Sequence, residues 1–142
     1  MVAYSFQPRF IEPIRQGLKT QTIRAIGQRR HARPGELLQL YSGIRTAHCT
    51  RILPDTPCVE VMQIEIRFRA GEIARIFTDG IPVRDLDAFA LRDGFADALD
   101  MWAFWREHHP QAVAAAGGGV MTAFCGILIE WARPAETMQV AA

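Results

Sequence analysis

The stretch Gly17-Leu18-Lys19-Thr20-Gln21-Thr22-Ile23-Arg24 joins the end of an expected helix to the start of an expected strand. It brings together one lysine, two threonines and an arginine. Lys19 is the only lysine in a chain whose Lys+Arg total is 16, so every other basic side chain is an arginine. A primary amine can be made neutral by its surroundings, whereas a guanidinium in practice stays charged. A lone lysine on a turn is most often simply solvated, and the company of this one is what singles it out. In a strand, Thr20, Thr22 and Arg24 share one face while Gln21 and Ile23 take the other. Lys19, three residues before Thr22, would then point away from it. The two converge only if Lys19 lies on the turn before the strand, where Gly17 frees the backbone.

On the N-terminal side, Ala3–Phe6 reads as a short strand, and Pro8 opens a helix through Gln16 that Gly17 stops. Phe10, Ile11 and Ile14 form its apolar side, and Pro13 makes it short or kinked. On the C-terminal side, residues 25–35 form a basic loop ending in the Pro34-Gly35 turn. Strands are expected over Glu36–Tyr41, Cys58–Phe68, Ile73–Phe77 and Met121–Trp131. Between the last two, Leu86, Phe89 and Ala90 repeat at helical spacing, and Asp93-Gly94-Phe95 breaks the run. A second helix follows from about Asp97 to His108, with Leu99, Trp102, Ala103 and Trp105 on its sheet-facing side. His108 and His109, beside Pro110, suit a helix C-terminus as cations and are assigned no chemistry. Residues 114–119 read as a flexible glycine-rich loop rather than a phosphate cradle, because a strand and not a helix follows them.

The 142 residues, 49% hydrophobic and 22% charged, are read as one globular domain over residues 1–132, with a disordered tail over 133–142. Cys49, Cys58 and Cys125 have neither the number for a disulfide framework nor a ligand spacing for zinc, and are expected as buried or partly buried free thiols. No metal or cofactor is expected. The chain begins without a secretory leader and has no membrane-spanning run, which points to a reducing, cytoplasmic setting. The net charge of +1 hides a polarity: residues 1–51 hold nine Lys/Arg against two acids, and the remainder is acidic. Arg9, Arg15, Lys19, Arg24, Arg29, Arg30, Arg33, Arg45 and Arg51 make up the basic half. Either they form one surface that attracts phosphates, or they pair with the acidic half on folding.

Gly17, Lys19, Thr22 and Arg24, the Pro34-Gly35 turn, and Asp93-Gly94-Phe95 before a helix and a closing apolar strand resemble the ASCH domain family over most of residues 3–131. The resemblance implies an α+β, PUA-like fold, a small mixed β-barrel flanked by helices. The family motif is Gly-x-Lys-x-x-Glu-x-Arg, and this chain has Thr22 in place of the Glu. The resulting Lys-Thr-x-Thr-x-Arg looks like the amidohydrolases of the family that remove the acyl group from N4-acetylcytidine. Their functional lysine, second threonine and acid correspond to Lys19, Thr22 and Asp93, the acid there being a longer glutamate. Another branch, associated with single-stranded RNA binding and ribonuclease activity, is similar through Tyr41-Ser42-Gly43-Ile44-Arg45-Thr46, with Ala47 where a lysine is common.

The expectation is therefore an RNA- or nucleoside-directed protein. The hydrolytic reading makes Lys19, Thr22 and Asp93 catalytic: the Thr22 hydroxyl attacks the acyl carbonyl, and Lys19, if neutral, takes its proton. Arg24, Tyr41, Arg9, Arg29, Arg30 and Arg45 would bind substrate or RNA. The alternative is a single-stranded RNA-binding protein or ribonuclease that uses the basic groove and Tyr41, with His31 or His48 as a base.

Overall fold

A computed structural model of the chain describes residues 1–113 and 121–134. Strand β1 (Val2–Phe6) buries Val2, Tyr4 and Phe6 at the period of two expected of a half-buried strand. A 3-10 turn (Pro8–Phe10) then runs into the short helix α1 (Ile11–Arg15), so the Pro8 and Pro13 signals produce two small pieces rather than one helix. Gly17 ends them with φ +77°, the left-handed stop that glycine adopts without strain. The Leu18 and Lys19 amides both donate to the Pro13 carbonyl, at 2.9 and 3.0 Å. Lys19 is thereby held on the turn before strand β2 (Gln21–Ala25), as convergence with Thr22 requires.

Strands β3 (Leu37–Ser42), β4 (Thr50–Arg51), β5 (Thr56–Arg69), β6 (Glu72–Thr78) and β7 (Ile81–Pro82) follow. Helices α2 (Leu86–Arg92), α3 (Ala98–His108) and α4 (Pro110–Val113) then precede strand β8 (Thr122–Trp131). Asp85 and Asp97 cap α2 and α3 by accepting from the Ala88 and Asp100 amides, the pairing that starts a helix. The molecule is α+β, dominated by one eight-stranded sheet. Its hub is β5, whose first residues pair with β3 and whose longer remainder pairs with β6 and β8, all antiparallel. Strand β1 lies parallel to β3, and β2 lies antiparallel to β8. The ladders among the described residues do not close this sheet into a barrel: none joins β1 to β2.

Buried side chains from strands and helices meet in one apolar cluster that includes Tyr4, Leu38, Leu40, Ile66, Phe68, Met101 and Trp105. The sheet-facing side of α3 is set by Met101 and Trp105, and Leu99 is 64% exposed, contrary to expectation. The helix presents the i, i+4 pair to the sheet, and Leu99 falls half a turn away from it. The cysteines also differ from expectation, because only Cys58 is buried while Cys49 and Cys125 are exposed. Cys125 sits near the solvated start of β8, where the burial pattern alternates before the strand enters the core. The glycine-rich run at 114–119 and residues 135–142 of the expected tail lie outside the described residues. No helix among those described is long and apolar enough to cross a membrane.

Candidate active site

A cleft of about 240 Å³ opens between the edges of β1 and β2 that no ladder joins. Ser5, Phe6 and Gln7 line it from β1 and the residue after it, Thr22 to Ala25 from β2, Asp93 and Phe95 from the turn that follows α2, Phe104 and Trp105 from α3, and His109 from the residue just after α3. Lys19 and Phe10 complete it. Aromatic walls around a few convergent polar groups are what a small-molecule site requires, and the volume suits one small planar ligand.

Lys19 and Asp93 are its buried charges, 3% and 5% exposed. Asp93 ends α2, and its carbonyl oxygen accepts a 2.5 Å bond from Lys19 Nζ, with its carboxylate Oδ1 3.7 Å from the same nitrogen. A cation at the C-terminus of a helix is electrostatically well placed. Gln21 donates to Asp93 Oδ1 at 3.4 Å and so helps hold the carboxylate. The Lys19 ammonium also lies 4.7 Å from the centre of the Phe10 ring and 5.5 Å from that of Phe6.

Burial dominates the titration of this pair. It lowers Lys19 from 10.5 to about 8, against the opposing pull of Asp93 and with help from the nearby Arg24 charge. Burial likewise raises Asp93, with Lys19 opposing. At pH 7 a lysine of pKa about 8 is neutral in roughly one molecule in ten, a usable reservoir of base.

Arg24 spans the open seam. Its Nη2 donates to the Ser5 carbonyl of β1 at 2.8 Å and its Nε to Thr22 Oγ1 at 3.1 Å, while its guanidinium packs over the rings of Phe6 and Tyr4. Burial lowers its pKa to about 10, which leaves it charged at neutral pH. The Thr22 oxygen therefore accepts from a cation while its own proton remains to be given.

The structure brings Lys19, Thr22, Arg24 and Asp93 together, although the first and last are 74 residues apart in sequence. It does not bring in the other residues expected to bind. Arg9 stands beside the aromatic wall, 5.0 Å from the Phe95 ring centre, and is paired with Asp100 at 2.8 Å. Arg29 packs over Tyr4 and bonds to the Ala3 carbonyl. Arg30 is held in two bonds by Glu36, so part of the basic half is neutralised locally. Tyr41, on the side of β3 opposite the buried Leu38 and Leu40, and Arg45, in the exposed turn after β3, are not among the cleft residues.

His31 is bonded at both ring nitrogens, Nδ1 with the Tyr4 hydroxyl at 3.1 Å and Nε2 with the Ala25 carbonyl at 2.8 Å. A carbonyl can only accept, so the proton sits on Nε2 and the ring has no free base.

Sequence reasoning missed His109 and the aromatic lining. Phe10 and Trp105 read as ordinary core residues, and nothing in periodicity distinguishes a core aromatic from one at the edge of a cleft. No protein-family model, curated protein or solved structure matches the chain.

Proposed function

We propose that the protein is a hydrolase of acylated cytosine nucleosides, of the N4-acetylcytidine amidohydrolase type, and belongs to the ASCH family. The observation that carries this reading is the convergence of Lys19, Thr22 and Asp93 in one aromatic cleft with Arg24 bonded to the Thr22 oxygen. On this reading the open sheet is a PUA-like barrel whose β1–β2 seam is bridged by Arg24 instead of a ladder. A reducing, cytoplasmic setting would keep the exposed Cys49 and Cys125 as thiols.

In this mechanism neutral Lys19 takes the proton of the Thr22 hydroxyl as its oxygen attacks the acyl carbonyl. Arg24 stabilises the oxyanion that develops. The C–N bond then breaks, and the Lys19 ammonium returns the proton to the departing cytosine amine. Water, deprotonated by Lys19, hydrolyses the Thr22 ester, and the same proton goes back to Thr22 as the carboxylic acid leaves. Asp93 steadies the ammonium form through its carbonyl and carboxylate.

The test is chromatographic: release of cytidine from N4-acetylcytidine by purified protein, which Thr22→Ala and Lys19→Ala abolish. An inactive parent protein, or an active Thr22→Ala protein, overturns the reading. The pH–rate profile is a separate expectation. Because the base is the neutral amine, kcat/KM rises with pH through an apparent pKa of about 8 and levels above it. A profile flat across that range excludes Lys19 as the base. The RNA-cleavage reading is less well supported, since His31 has no free nitrogen and Tyr41 is not among the cleft residues.

A further inference from the structure

The fixed cations that line the cleft, Lys19 and Arg24, outnumber its one carboxylate, Asp93. Lys19 has Asp93 within ion-pair distance, whereas Arg24 feels the Asp93 charge only from farther off: its bonds go to two neutral oxygens, and no ion pair joins it to a carboxylate among the described residues. The Tyr4 ring beneath it is not an anion. Burial raises the phenol, whose hydroxyl is occupied by His31 and the Ala32 amide. Arg29 lies over the same Tyr4 ring, 5.1 Å from its centre, and it too forms no ion pair among the described residues. His109 does not restore the balance, since burial lowers its pKa and favours the neutral ring. The site thus holds a largely desolvated guanidinium without a directly bonded anion, an arrangement that an arriving anion would improve. The planar fork of guanidinium donors matches carboxylate and phosphate oxygens, and Arg24 Nη1 makes no bond among the described residues.

We propose that Arg24, with Arg29 behind it over the same Tyr4 ring, forms an anion subsite beside the nucleoside position, so that a phosphate or carboxylate on the ligand strengthens its binding. The proposal refines the deacylase reading and rests on it for the cytosine portion, but its measurement is binding and needs no turnover. The two sources of the anion lie on different parts of the ligand, the 5′-phosphate of a nucleotide or a carboxylate at the end of the acyl chain.

Calorimetry at constant ionic strength compares cytidine 5′-monophosphate with cytidine on the intact protein. It also compares N4-succinylcytidine with N4-acetylcytidine on the Thr22→Ala protein, which cannot turn them over. The expected result is that one anionic ligand binds about tenfold or more tightly than its neutral parent. The preferred pair identifies the source. That ratio falls towards one in Arg24→Gln, is partly kept in Arg24→Lys, and drops by a smaller factor in Arg29→Gln, whose exposed side chain makes the variant safe for folding. Ratios near one for both pairs, as expected if Arg24 serves only a transient oxyanion, overturn the proposal. A preference that survives Arg24→Gln in folded protein also overturns it. Absence of cytidine release together with a preserved phosphate preference would sink the deacylase reading and leave the anion subsite standing.

Discussion

Lys19→Met lowers the stability of the fold by about 3 kcal/mol at neutral pH, because it leaves Asp93 buried without the cation that faces it. The loss has a pH signature. Asp93 titrates near 3.8 in the unfolded chain and higher in the fold, where burial raises it and Lys19 partly opposes the rise. Between those two values the fold holds more protons than the unfolded chain, so stability falls as pH rises through the window. Removing Lys19 extends the window upward. The deficit relative to the parent protein is therefore smaller at about pH 4.5 than at about pH 7.5.

Lys19 itself acts in the opposite sense. Its pKa falls from 10.5 to about 8 on folding, so the unfolded chain holds the extra proton between those values and the parent gains stability as pH rises across them. The variant lacks that gain. Urea unfolding at the two lower pH values measures the effect, and Lys19→Met/Asp93→Asn closes a double-mutant cycle in which much of the loss is recovered. A deficit independent of pH, or a double variant that loses the sum of both single changes, would show that the pair is not coupled.

Gly94→Ala costs about 3 kcal/mol and lowers the unfolding temperature by roughly 10 °C, and on the proposed deacylase reading it also reduces turnover in the molecules that remain folded. Two causes add. Gly94 has φ +96°, in the region that L residues reach only with strain, at roughly 1–2 kcal/mol. A Cβ there would lie 2.7 Å from Lys19 Cδ and 2.8 Å from Phe10 Cδ1. Neither neighbour yields easily: Lys19 is tied at its far end to the Asp93 carbonyl, and Phe10 is packed edge-on against Phe95 and Phe104. The stem of Lys19 must shift, and the amine moves with it. Gly71→Ala is the control, since Gly71 has φ +82° and open space where its Cβ would go. Thermal unfolding of both separates strain from contact: equal losses at the two positions would mean that the close packing over Lys19 contributes nothing.

The basic half illustrates how a pattern along the chain is altered by folding. Nine Lys/Arg in residues 1–51 suggest a continuous positive surface. In three dimensions Glu36 engages Arg30, Asp100 engages Arg9 and Asp55 engages Arg51, so several of these charges are matched locally. Arg24 is distinguished from them by its place between two strand edges, which no count of charges reveals.

Much of the architecture was legible because it depends on local rules. The short first strand, the stop at Gly17, the start of a helix near Asp97 and the break at Asp93-Gly94 follow from backbone sterics and from hydrogen bonds between near neighbours. The positions of Lys19, Thr22 and Arg24 were legible for the same reason, since a turn followed by a strand determines how three close residues point. Proximity between distant segments was decided only by the tertiary structure. The meeting of Lys19 with the end of α2, the neutralising effect of that burial, the open β1–β2 seam and the entry of Phe104, Trp105 and His109 depend on how α2 and α3 settle against the sheet. Periodicity identifies the face a side chain occupies; packing between elements decides what that face meets, and in this protein the electrostatics of the candidate site arise from that meeting.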